Sequence, residues 1–315
     1  MFKKIFLLLI IIIISSIFYY RRKEPTNPSH KPIEINQSAV ALGISPKTIL
    51  KSKRTKKRLV NIALFAIDRR TNQEAGNSDV IMVISINQTN GEIRMASIMR
   101  DTFVEIEGHG MNKINAAYAI GGPQLAIKTI NQNFEMDIRD YINVDFYEFA
   151  RIIDAVGGLK IKVEQNEIPY LNHYLNGVAT YDHIPAVYVK TAGLQNLTGR
   201  QVVAYSRIRY IGNGDYDRTE RQRSVLIELF KKIKSSKRNL IPLLFNNVLP
   251  NIQTSLSSLS ILVIASHLLY TQNKTLKQAR FPLDVQGHGK IINNIWYLIT
   301  DRKAVTKSLF TFLYN

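Results

Sequence analysis

The chain contains no cysteine, and acidic residues are scarce relative to basic ones. Without thiols, disulfide scaffolds, cysteine-ligated zinc or iron–sulfur centres and cysteine nucleophiles are excluded. Chemistry must therefore use carboxylates, hydroxyls, histidine or a metal held by oxygen ligands. The 315 residues include 24 Asp and Glu against 42 Lys and Arg, a formal net charge of +18. With 45% hydrophobic and 21% charged residues, the composition is that of a folded chain.

Long hydrophobic runs are also rare, and the longest extends from Ile5 to Tyr20, interrupted only by Ser15 and Ser16. Its length approaches the roughly 20 residues of a membrane-spanning helix. The run continues into tyrosines and arginines rather than the small residues of a signal-peptidase site. We therefore expect residues 1–23 to form a short cytoplasmic end and an uncleaved transmembrane signal-anchor. Basic residues flank both ends, so the positive-inside rule leaves the orientation open, and the assignment of the cytoplasmic and extracytoplasmic sides follows from the site chemistry described below.

Residues 24–58 read as an extracytoplasmic linker, rich in proline up to Pro46 and in lysine and arginine afterwards. The basic part could bind anionic lipid head groups or another polyanion, or could be a solvated face. We expect a single folded domain over residues 59–315, with closing helices from residue 235 onward.

Apolar runs with strand and helix patterns alternate along this domain, which predicts the α/β class. The predicted strands are Leu59–Ile67, Val80–Ile86, Glu92–Ile98, Tyr141–Val144 and Leu159–Val163. The predicted helices are Ile114–Ala119, Gln124–Gln132 (opened by Gly122-Pro123), Tyr147–Val156, Thr198–Ser206, Arg218–Lys234 and much of Leu240–Leu269.

Charged residues stand where predicted strands begin and end. Asp68 directly follows the first strand and Asp79 directly precedes the second, so pairing of the strands would bring both carboxylates to one edge. Hard oxygen ligands of this kind suit Mg²⁺, which takes one or two carboxylates together with substrate phosphates. The alternative is that these two positions are only a turn residue and a surface charge, without a role in metal binding.

Arg100 and Asp101 follow the third strand in the same way, and Lys113 precedes a helix. Simpler interpretations are available. Arg100 and Asp101 could form an ion pair at a sheet edge, and Lys113 could be a solvated loop cation.

A second group of cations begins the Arg218–Lys234 helix. Stepping back from the apolar stripe of this helix by three, four or seven residues puts Arg218, Arg221 and Gln222 on its inward face. Arg207 and Arg209 lie just upstream. Inward cations at a helix N-terminus oppose the macrodipole and lose hydration, and a bound phosphate removes both costs. The alternative is an ion-pair network with nearby acids.

Several segments resemble, in order and spacing, the LytR-CpsA-Psr family of cell-wall phosphotransferases. The segments are Asp68-Arg69-Arg70, Asn77-Ser78-Asp79-Val80-Ile81-Met82, Met99-Arg100-Asp101-Thr102, Lys113-Ile114-Asn115-Ala116-Ala117-Tyr118, Gly121-Gly122-Pro123, Asp154-Ala155-Val156-Gly157-Gly158 and Asp217–Arg223. Met99 stands where the family usually has proline and Ala66 where it commonly has glycine, so the departures affect loop geometry and remove no charged group.

The resemblance implies a three-layer α/β/α domain with a central mixed sheet, outside the membrane of a Gram-positive cell. It implies an apolar pocket for a polyprenyl pyrophosphate and transfer of a glycopolymer, such as wall teichoic acid or capsular polysaccharide, from that lipid to a peptidoglycan hydroxyl. The pyrophosphate-binding positions it implies are Arg100, Lys113, Arg207, Arg209, Arg218 and Gln222, and Arg221 lies beside them. Asp68 and Asp79 match its magnesium-linked aspartates, with Mn²⁺ as a substitute for Mg²⁺.

Two residues are candidates for the catalytic step. Arg100 would neutralise charge on the phosphoryl oxygens, and Asp101 would act as the base for the acceptor hydroxyl. Asp101 could instead orient Arg100, or Mg²⁺ could lower the pKa of the acceptor and make a base unnecessary. If water replaced the acceptor, the same chemistry would give pyrophosphatase activity.

Two other classes of function fit parts of the sequence. A non-catalytic binder of wall polymers or lipid phosphates would not need Asp68 or Asp79. A DNA-binding regulator would explain the positive charge, but no helix-turn-helix pattern is found, so nucleic acid is not an expected partner.

Overall fold

A computed structural model describes residues 34–55, 58–67, 76–182, 184–235, 240–270 and 276–314. The predicted signal-anchor and Asp68 lie outside these ranges. Within them, none of the helices has both the length and the apolar character that crossing a bilayer requires.

Twelve strands and nine helices are described in these ranges. The strands are β1 (Leu59–Ile67), β2 (Ser78–Asn87), β3 (Ile93–Ile98), β4 (Phe103–Ile106), β5 (Gly110–Lys113), β6 (Asp140–Asp145), β7 (Leu159–Val163), β8 (Gly193–Leu197), β9 (Gln253–Thr254), β10 (Leu276–Phe281), β11 (Gly287–Ile292) and β12 (Ile295–Thr300). The helices are α1 (Pro46–Arg54), α2 (Ala116–Phe134), α3 (Phe146–Ala155), α4 (Ile168–Asp182), α5 (Gly199–Arg207), α6 (Asp215–Ser235), α7 (Leu240–Leu243), α8 (Ser258–Tyr270) and α9 (Arg302–Tyr314).

The central sheet has six strands in the order β10-β3-β2-β1-β6-β9. Strand β6 runs parallel to β1 and β10 runs parallel to β3, whereas the other neighbouring pairs are antiparallel. The expected α/β class with a central mixed sheet is therefore confirmed.

Successive side chains of a strand point to opposite faces of the sheet, and in this sheet both faces carry apolar side chains. Helices therefore cover both faces. From β1, Phe65 and Ile67 pack into the cluster that contains the buried side chains of α2 and α9. Ile62 and Leu64, which point the other way, pack against α6, and the cluster of Ile62 extends to α8. The result is three layers, with the sheet in the middle.

A second core lies beside the sheet, under helices α3, α4 and α5 and the small β7–β8 sheet. Ile153, Leu171 and Val202 are fully buried there. This core supports the segment that carries Arg207 and Arg209.

The folded region begins before residue 59, contrary to the predicted linker. Leu42 and Ile44 are buried in the main core. Helix α1 then forms with Ser45 as its N-cap, the Ser45 side chain accepting from the Thr48 amide at 3.1 Å. Pro46 occupies the first turn, where a missing N–H costs nothing. Proline there starts a helix instead of preventing one.

The C-terminal region also differs from the closing helices predicted for residues 235–315. Residues 276–300 form strands, and β10 pairs with β3 at the edge of the central sheet. The β10 sequence Leu-Lys-Gln-Ala-Arg-Phe suits a helix by intrinsic propensity. Pairing with β3 overrides that preference, because strand formation depends on tertiary neighbours more than helix formation does.

Candidate anion-binding site at the sheet edge

Asp79 projects from a β-bulge between β1 and β2. Ala66 pairs with Val80 and Ile67 pairs with Ser78, so Asp79 has no partner across the ladder. A bulge of this kind bends the strand and re-aims the extra side chain. The Asp79 carboxylate is thereby brought to the guanidinium of Arg100, to which it is hydrogen-bonded.

Arg100, just beyond the end of β3, is surrounded by acids. Its Nε lies 3.3 Å from Asp215 Oδ2 and 3.6 Å from Asp101 Oδ2, and its Nη1 bonds Asp79. Burial lowers the pKa of Arg100, but the carboxylates of Asp79, Asp215 and Asp101 raise it by more. Asp101 is itself buried and forms an ion pair with Lys113, its Oδ1 lying 2.7 Å from Nζ. Arg100, Asp101 and Lys113 thus form one connected charged group.

Arg218 joins this group from helix α6. Its Nη2 donates to Asp215 Oδ2 at 2.9 Å, so one carboxylate serves both Arg218 and Arg100. The side chain is 7% exposed, and its Nε has no hydrogen-bond partner among the residues that the structure describes. Burial lowers the pKa of Arg218, and the positive charge of Arg100 lowers it further. Arg218 is therefore an incompletely neutralised buried cation.

Gln222 follows Arg218 by one helical turn and is also buried. Both line a small cavity together with Asp79, Arg100 and Asp215. The predicted inward orientation of Arg218 and Gln222 agrees with this geometry.

Arg207 and Arg209 complete the basic surroundings of the site. The Arg207 guanidinium lies 4.9 Å from the centre of the Phe146 ring and 5.9 Å from that of Tyr174. Burial raises the pKa of Tyr174, and the charges of Arg209, Arg207 and Arg218 oppose that rise. Arg209 donates to Tyr210 Oη at 2.9 Å. Of these two arginines, Arg207 packs on Tyr174, and Arg209 follows Arg207 by two residues.

Arg221 lies elsewhere, although it is on the same helix. Its Nε donates to Glu167 Oε1 at 2.8 Å and its Nη1 to the Ile208 carbonyl at 3.2 Å. The Tyr205 ring is 6.0 Å away, and burial, helped by Glu167, raises the pKa of Tyr205 to about 12. The structure therefore does not bring Arg221 to the Arg100 group, with which it had been predicted.

Asp215 is not among the predicted site residues. It begins α6, two residues ahead of Asp217, which forms the sequence pattern of a capping box with Glu220. Asp217 instead accepts from the Asn213 amide at 2.9 Å. The available signal was the spacing of Asp215 and Arg218, three residues apart, which places two side chains on one helix face.

The metal prediction depends on Asp79, since Asp68 is outside the described ranges. No group of three His, Asp or Glu side chains in those ranges is arranged to hold a metal ion. Asp79 offers the hard oxygens that Mg²⁺ prefers, but it also pairs with Arg100. Asp79 alone therefore fits one ligand position, and the remaining ligands must come from elsewhere.

An apolar cavity of about 240 Å³ lies farther along the same face of the sheet. The lining includes Ile62, Ile84 and Ile142 from the sheet, Phe230 and Ile233 from α6, and Ile264 from α8. Gln222 and Phe230 are eight residues apart on α6, which corresponds to about 12 Å along the helix. Helix α6 thus reaches from the charged group to the cavity.

A family described as the LytR_cpsA_psr family matches residues 17–311 of this chain. The polyisoprenyl-teichoic acid–peptidoglycan teichoic acid transferase TagU of Oceanobacillus iheyensis is 30% identical over 263 residues, covering 80% of this chain and 74% of the relative. Biofilm regulatory protein A of Streptococcus mutans is 28% identical over 266 residues, covering 79% of this chain and 61% of that protein.

Solved structures show the same fold at lower identity. The crystal structure of Bacillus subtilis TagT aligns with a TM-score of 0.63 and 21% identity, over 82% of this chain and 92% of that one. A structure of the LytR-CPS2A-psr family protein YwtF (TagT) with bound octaprenyl pyrophosphate lipid aligns with a TM-score of 0.63 and 20% identity, over 89% and 99%. The family match over nearly the whole chain, with a relative of 30% identity, shows that this chain belongs to the LytR_cpsA_psr family.

Proposed function

We propose that this chain transfers an anionic glycopolymer, such as wall teichoic acid or capsular polysaccharide, from a polyprenyl-pyrophosphate lipid to a hydroxyl of peptidoglycan. One observation carries the proposal. Helix α6 borders the charged group at its N-terminal end and the apolar cavity near its C-terminal end. A site with both parts suits an amphiphile that has an anionic head and a hydrocarbon tail.

The charged group suits a pyrophosphate because one of its buried cations, Arg218, is incompletely satisfied. Among the described residues, Arg218 has one carboxylate partner, which it shares with Arg100, and its Nε has no hydrogen-bond partner. A phosphate would accept charge-assisted hydrogen bonds from Arg218 and Arg100 and would relieve their mutual repulsion. Gln222, Lys113, Arg207 and Arg209 would add donors around the same anion.

The apolar cavity suits the polyprenyl chain. Its lining is almost entirely aliphatic and aromatic, and it lies on the sheet face that α6 covers. Each CH₂ group of the tail that leaves water for such surroundings contributes about 0.8 kcal/mol. The cavity would therefore supply binding energy, whereas the charged group would orient the pyrophosphate.

In the transfer step, the oxygen of the acceptor hydroxyl attacks the sugar-bound phosphorus of the pyrophosphate. A new P–O bond forms, the P–O bond to the bridging oxygen breaks, and polyprenyl monophosphate leaves with that oxygen and its electron pair. Asp101 takes the hydroxyl proton, and Lys113 at 2.7 Å keeps that carboxylate oriented. Arg100 and Arg218 stabilise the charge on the phosphoryl oxygens.

Asp79 would bind Mg²⁺, or Mn²⁺ in its place, together with Asp68 and phosphate oxygens of the substrate. A bound divalent ion supplies charge neutralisation at the pyrophosphate and can lower the pKa of a coordinated hydroxyl. Arg100 and Asp79 would then exchange their mutual ion pair for contacts with the substrate and the ion.

We expect the domain to face the outside of a Gram-positive cell, held by the single signal-anchor in residues 1–23, because lipid-linked glycans are presented there. Protease added to intact, wall-stripped cells should then digest the domain. Protection of the domain would contradict this topology, and an N-terminus near Glu24 in the mature protein would show that the anchor is cleaved.

The central experiment incubates the purified chain with a polyprenyl-pyrophosphate-linked glycan, Mg²⁺ and a peptidoglycan acceptor. We expect polyprenyl monophosphate and polymer joined to peptidoglycan in equal amounts. Lipid product without joined polymer would indicate hydrolysis as the main reaction. Tight lipid binding without either product would indicate a non-catalytic binder.

A further inference from the structure

A long uncharged stretch of the chain forms part of the cavity wall. Residues 239–273 contain no Asp, Glu, Lys or Arg, in a chain of which 21% of the residues are charged. The cavity lining that does not come from the central strands β1, β2 and β6 or from α6 comes from residues 244–265. Protein surfaces in water normally carry charges, so an uncharged wall of this length indicates an apolar neighbour on its outer side.

Helix α8, within this stretch, is apolar on two opposite faces. Ile261 and Ile264 line the cavity. Leu259 and Val263 are four residues apart and share a face, and their exposed fractions are 71% and 39%. Leu259 and Ile261 are separated by about 200° around the helix axis, because each residue turns an α-helix by about 100°. We refer to Leu259 and Val263 as the outer face of α8, which the described residues leave in contact with solvent.

The surroundings of this stretch are basic. Residues 231–238, at the end of α6 and beyond it, include five Lys and Arg residues. No acidic residue occurs between Glu228 and Asp284. Lys234 lines the cavity itself, and Lys231 keeps its side chain 65% exposed although it pairs with Glu228. An apolar face with cations and no acids nearby complements a surface that is anionic at its head groups and apolar beneath them.

The chain from the proposed signal-anchor arrives at the same edge of the sheet. Gln37, near the start of the described residues, donates to Asp140 Oδ1 at 2.7 Å. Ser255, three residues before α8 begins, donates to the same oxygen at 2.9 Å. Asp140 is the first residue of β6, so both segments meet at that end of the strand. A chain that comes from an anchor in residues 1–23 therefore enters the domain next to the segment that leads into α8.

A bilayer fits the outer face of α8 better than a protein partner does. A polyprenyl tail resides in the bilayer before and after the reaction, so a tail that enters the cavity has to pass from lipid into the protein at the cavity wall. Protein interfaces are enriched in aromatic residues and arginine, whereas the exposed side chains of the outer face are aliphatic. Helix α8 has 13 residues, fewer than the roughly 20 that span a bilayer, so it would lie in the plane of the membrane surface.

We infer that the outer face of α8 and the basic residues 231–238 dock on an anionic bilayer, and that the polyprenyl tail passes between bilayer and cavity beside α8. This inference rests on the proposed lipid substrate, and it extends that proposal by assigning the surface through which the substrate is exchanged.

The absence of cysteine makes a site-specific test possible. A Leu259→Cys variant of the full-length chain has a single thiol, to which an environment-sensitive dye is attached. The labelled protein is reconstituted into vesicles of equal parts phosphatidylglycerol and phosphatidylcholine, with a nitroxide on the acyl chains of some of the phosphatidylcholine. We expect strong quenching of the dye at position 259, similar quenching for Val263→Cys, and weaker quenching when phosphatidylglycerol is left out.

Ile291→Cys is the matched control. Ile291 is an aliphatic residue that is 67% exposed, on the hairpin of β11 and β12. That hairpin is joined to the turn after β3 by a hydrogen bond of 2.9 Å from the Leu298 amide to the Asp101 carbonyl, whereas the cavity residue Ile86 pairs with the first residue of β3. We expect little quenching at position 291. Equal quenching at the two positions, no quenching at position 259, or quenching there that does not depend on phosphatidylglycerol would overturn the inference.

Transfer kinetics provide a second test. Leu259→Asp places a charge in the outer face and should raise the KM for the vesicle-bound lipid substrate roughly tenfold. Transfer from a short-chain analogue that is soluble in water should be unchanged, because that substrate does not come from a bilayer. Ile291→Asp should change neither reaction. Equal impairment with both substrates in folded Leu259→Asp, or an unchanged KM for the vesicle-bound lipid, would contradict the inference.

A protein partner at the same face would give a different result. Dye emission at position 259 that shifts with protein concentration, and not with lipid, would show self-association and overturn the membrane assignment. The two proposals also fail separately. Quenching at position 259 without transfer would refute the reaction and leave the membrane surface standing, whereas normal transfer without quenching would refute only the surface.

Discussion

Arg218 and Arg221 are three residues apart on helix α6, yet they have opposite surroundings. Arg221 is paired one-to-one with the buried Glu167 and also bonds a carbonyl. Arg218 must share Asp215 with Arg100 and keeps one N–H without a partner among the described residues. The charge and hydrogen-bonding groups of Arg221 are therefore satisfied without a ligand, whereas those of Arg218 are not. Inward orientation of an arginine is therefore a poor guide to ligand binding, and whether its N–H groups already have partners is a better one.

Breaking the complete pair should have the largest effect on stability. Arg221→Gln leaves Glu167, whose side chain is 8% exposed, as a buried charge without its cation. We expect a loss of about 3–5 kcal/mol in the free energy of unfolding, measured by urea denaturation, with unchanged affinity for polyprenyl phosphate. The double variant Arg221→Gln/Glu167→Gln should recover much of that stability. If Arg221→Gln weakens lipid binding in the folded state instead, Arg221 belongs to the ligand site.

Neutralising Asp79, an acid of the charged group around Arg100 and Arg218, should affect catalysis rather than folding. Asp79→Asn keeps the size of the side chain but removes the charge available to Mg²⁺ and to Arg100. We expect metal-dependent transfer to fall by about a hundredfold or more, with the thermal unfolding temperature nearly unchanged. Glu167→Gln is the matched control, because it should alter stability without lowering transfer. Wild-type turnover in Asp79→Asn that EDTA still inhibits would place the metal elsewhere.

Removing the buried charge of Arg218 should weaken ligand binding without destabilising the protein. Arg218→Gln removes a charge whose pKa burial and Arg100 already lower. We expect it to melt at or above the wild-type temperature without ligand, and to bind polyprenyl phosphate roughly ten- to hundredfold more weakly, a loss of about 1.5–3 kcal/mol. Arg302→Gln removes the same charge from an exposed position of α9 and should change neither quantity. Melting several degrees lower with intact lipid affinity would make Arg218 a structural brace.

The smallest expected effect concerns Tyr205 beside the Arg221–Glu167 pair. Burial, with help from Glu167, raises its pKa from 10.0 to about 12, so the folded state favours the neutral phenol. The stability that this shift contributes is complete below pH 10 and is lost as the pH rises toward about 12. Tyr205→Phe cannot ionise, so its stability relative to wild type should be constant below pH 10 and should improve above it. A constant difference across the whole alkaline range would contradict the raised pKa.

Much of the fold could be predicted where local signals agreed with tertiary packing. The predicted strands Leu59–Ile67 and Leu159–Val163 have the observed bounds, because the first is a nearly continuous apolar run and the second alternates buried apolar residues with exposed lysines. The predicted break before Pro123 is also present, although the helix continues across it: Gly121 and Gly122 have non-helical backbone angles inside α2.

Other features had no adequate local signal. Leu42 and Ile44 lie in a stretch with the composition of a linker, and they are buried only because α2 and the sheet offer a surface for them. Asp215 acts through its position between Arg100 and Arg218, which come from distant parts of the chain.

The amino-acid sequence by itself determined the class of this protein and the chemistry available to it, because composition, strand and helix periodicity and the order of charged motifs are local properties. It also predicted that Arg218 and Gln222 face inward, since helix periodicity fixes which side chains share a face. Only the tertiary structure decided that Arg218 joins Arg100 while Arg221 joins Glu167. Charge balance depends on which elements meet, and at helix α6 those elements are the end of β3 on one side and the turn before α4 on the other.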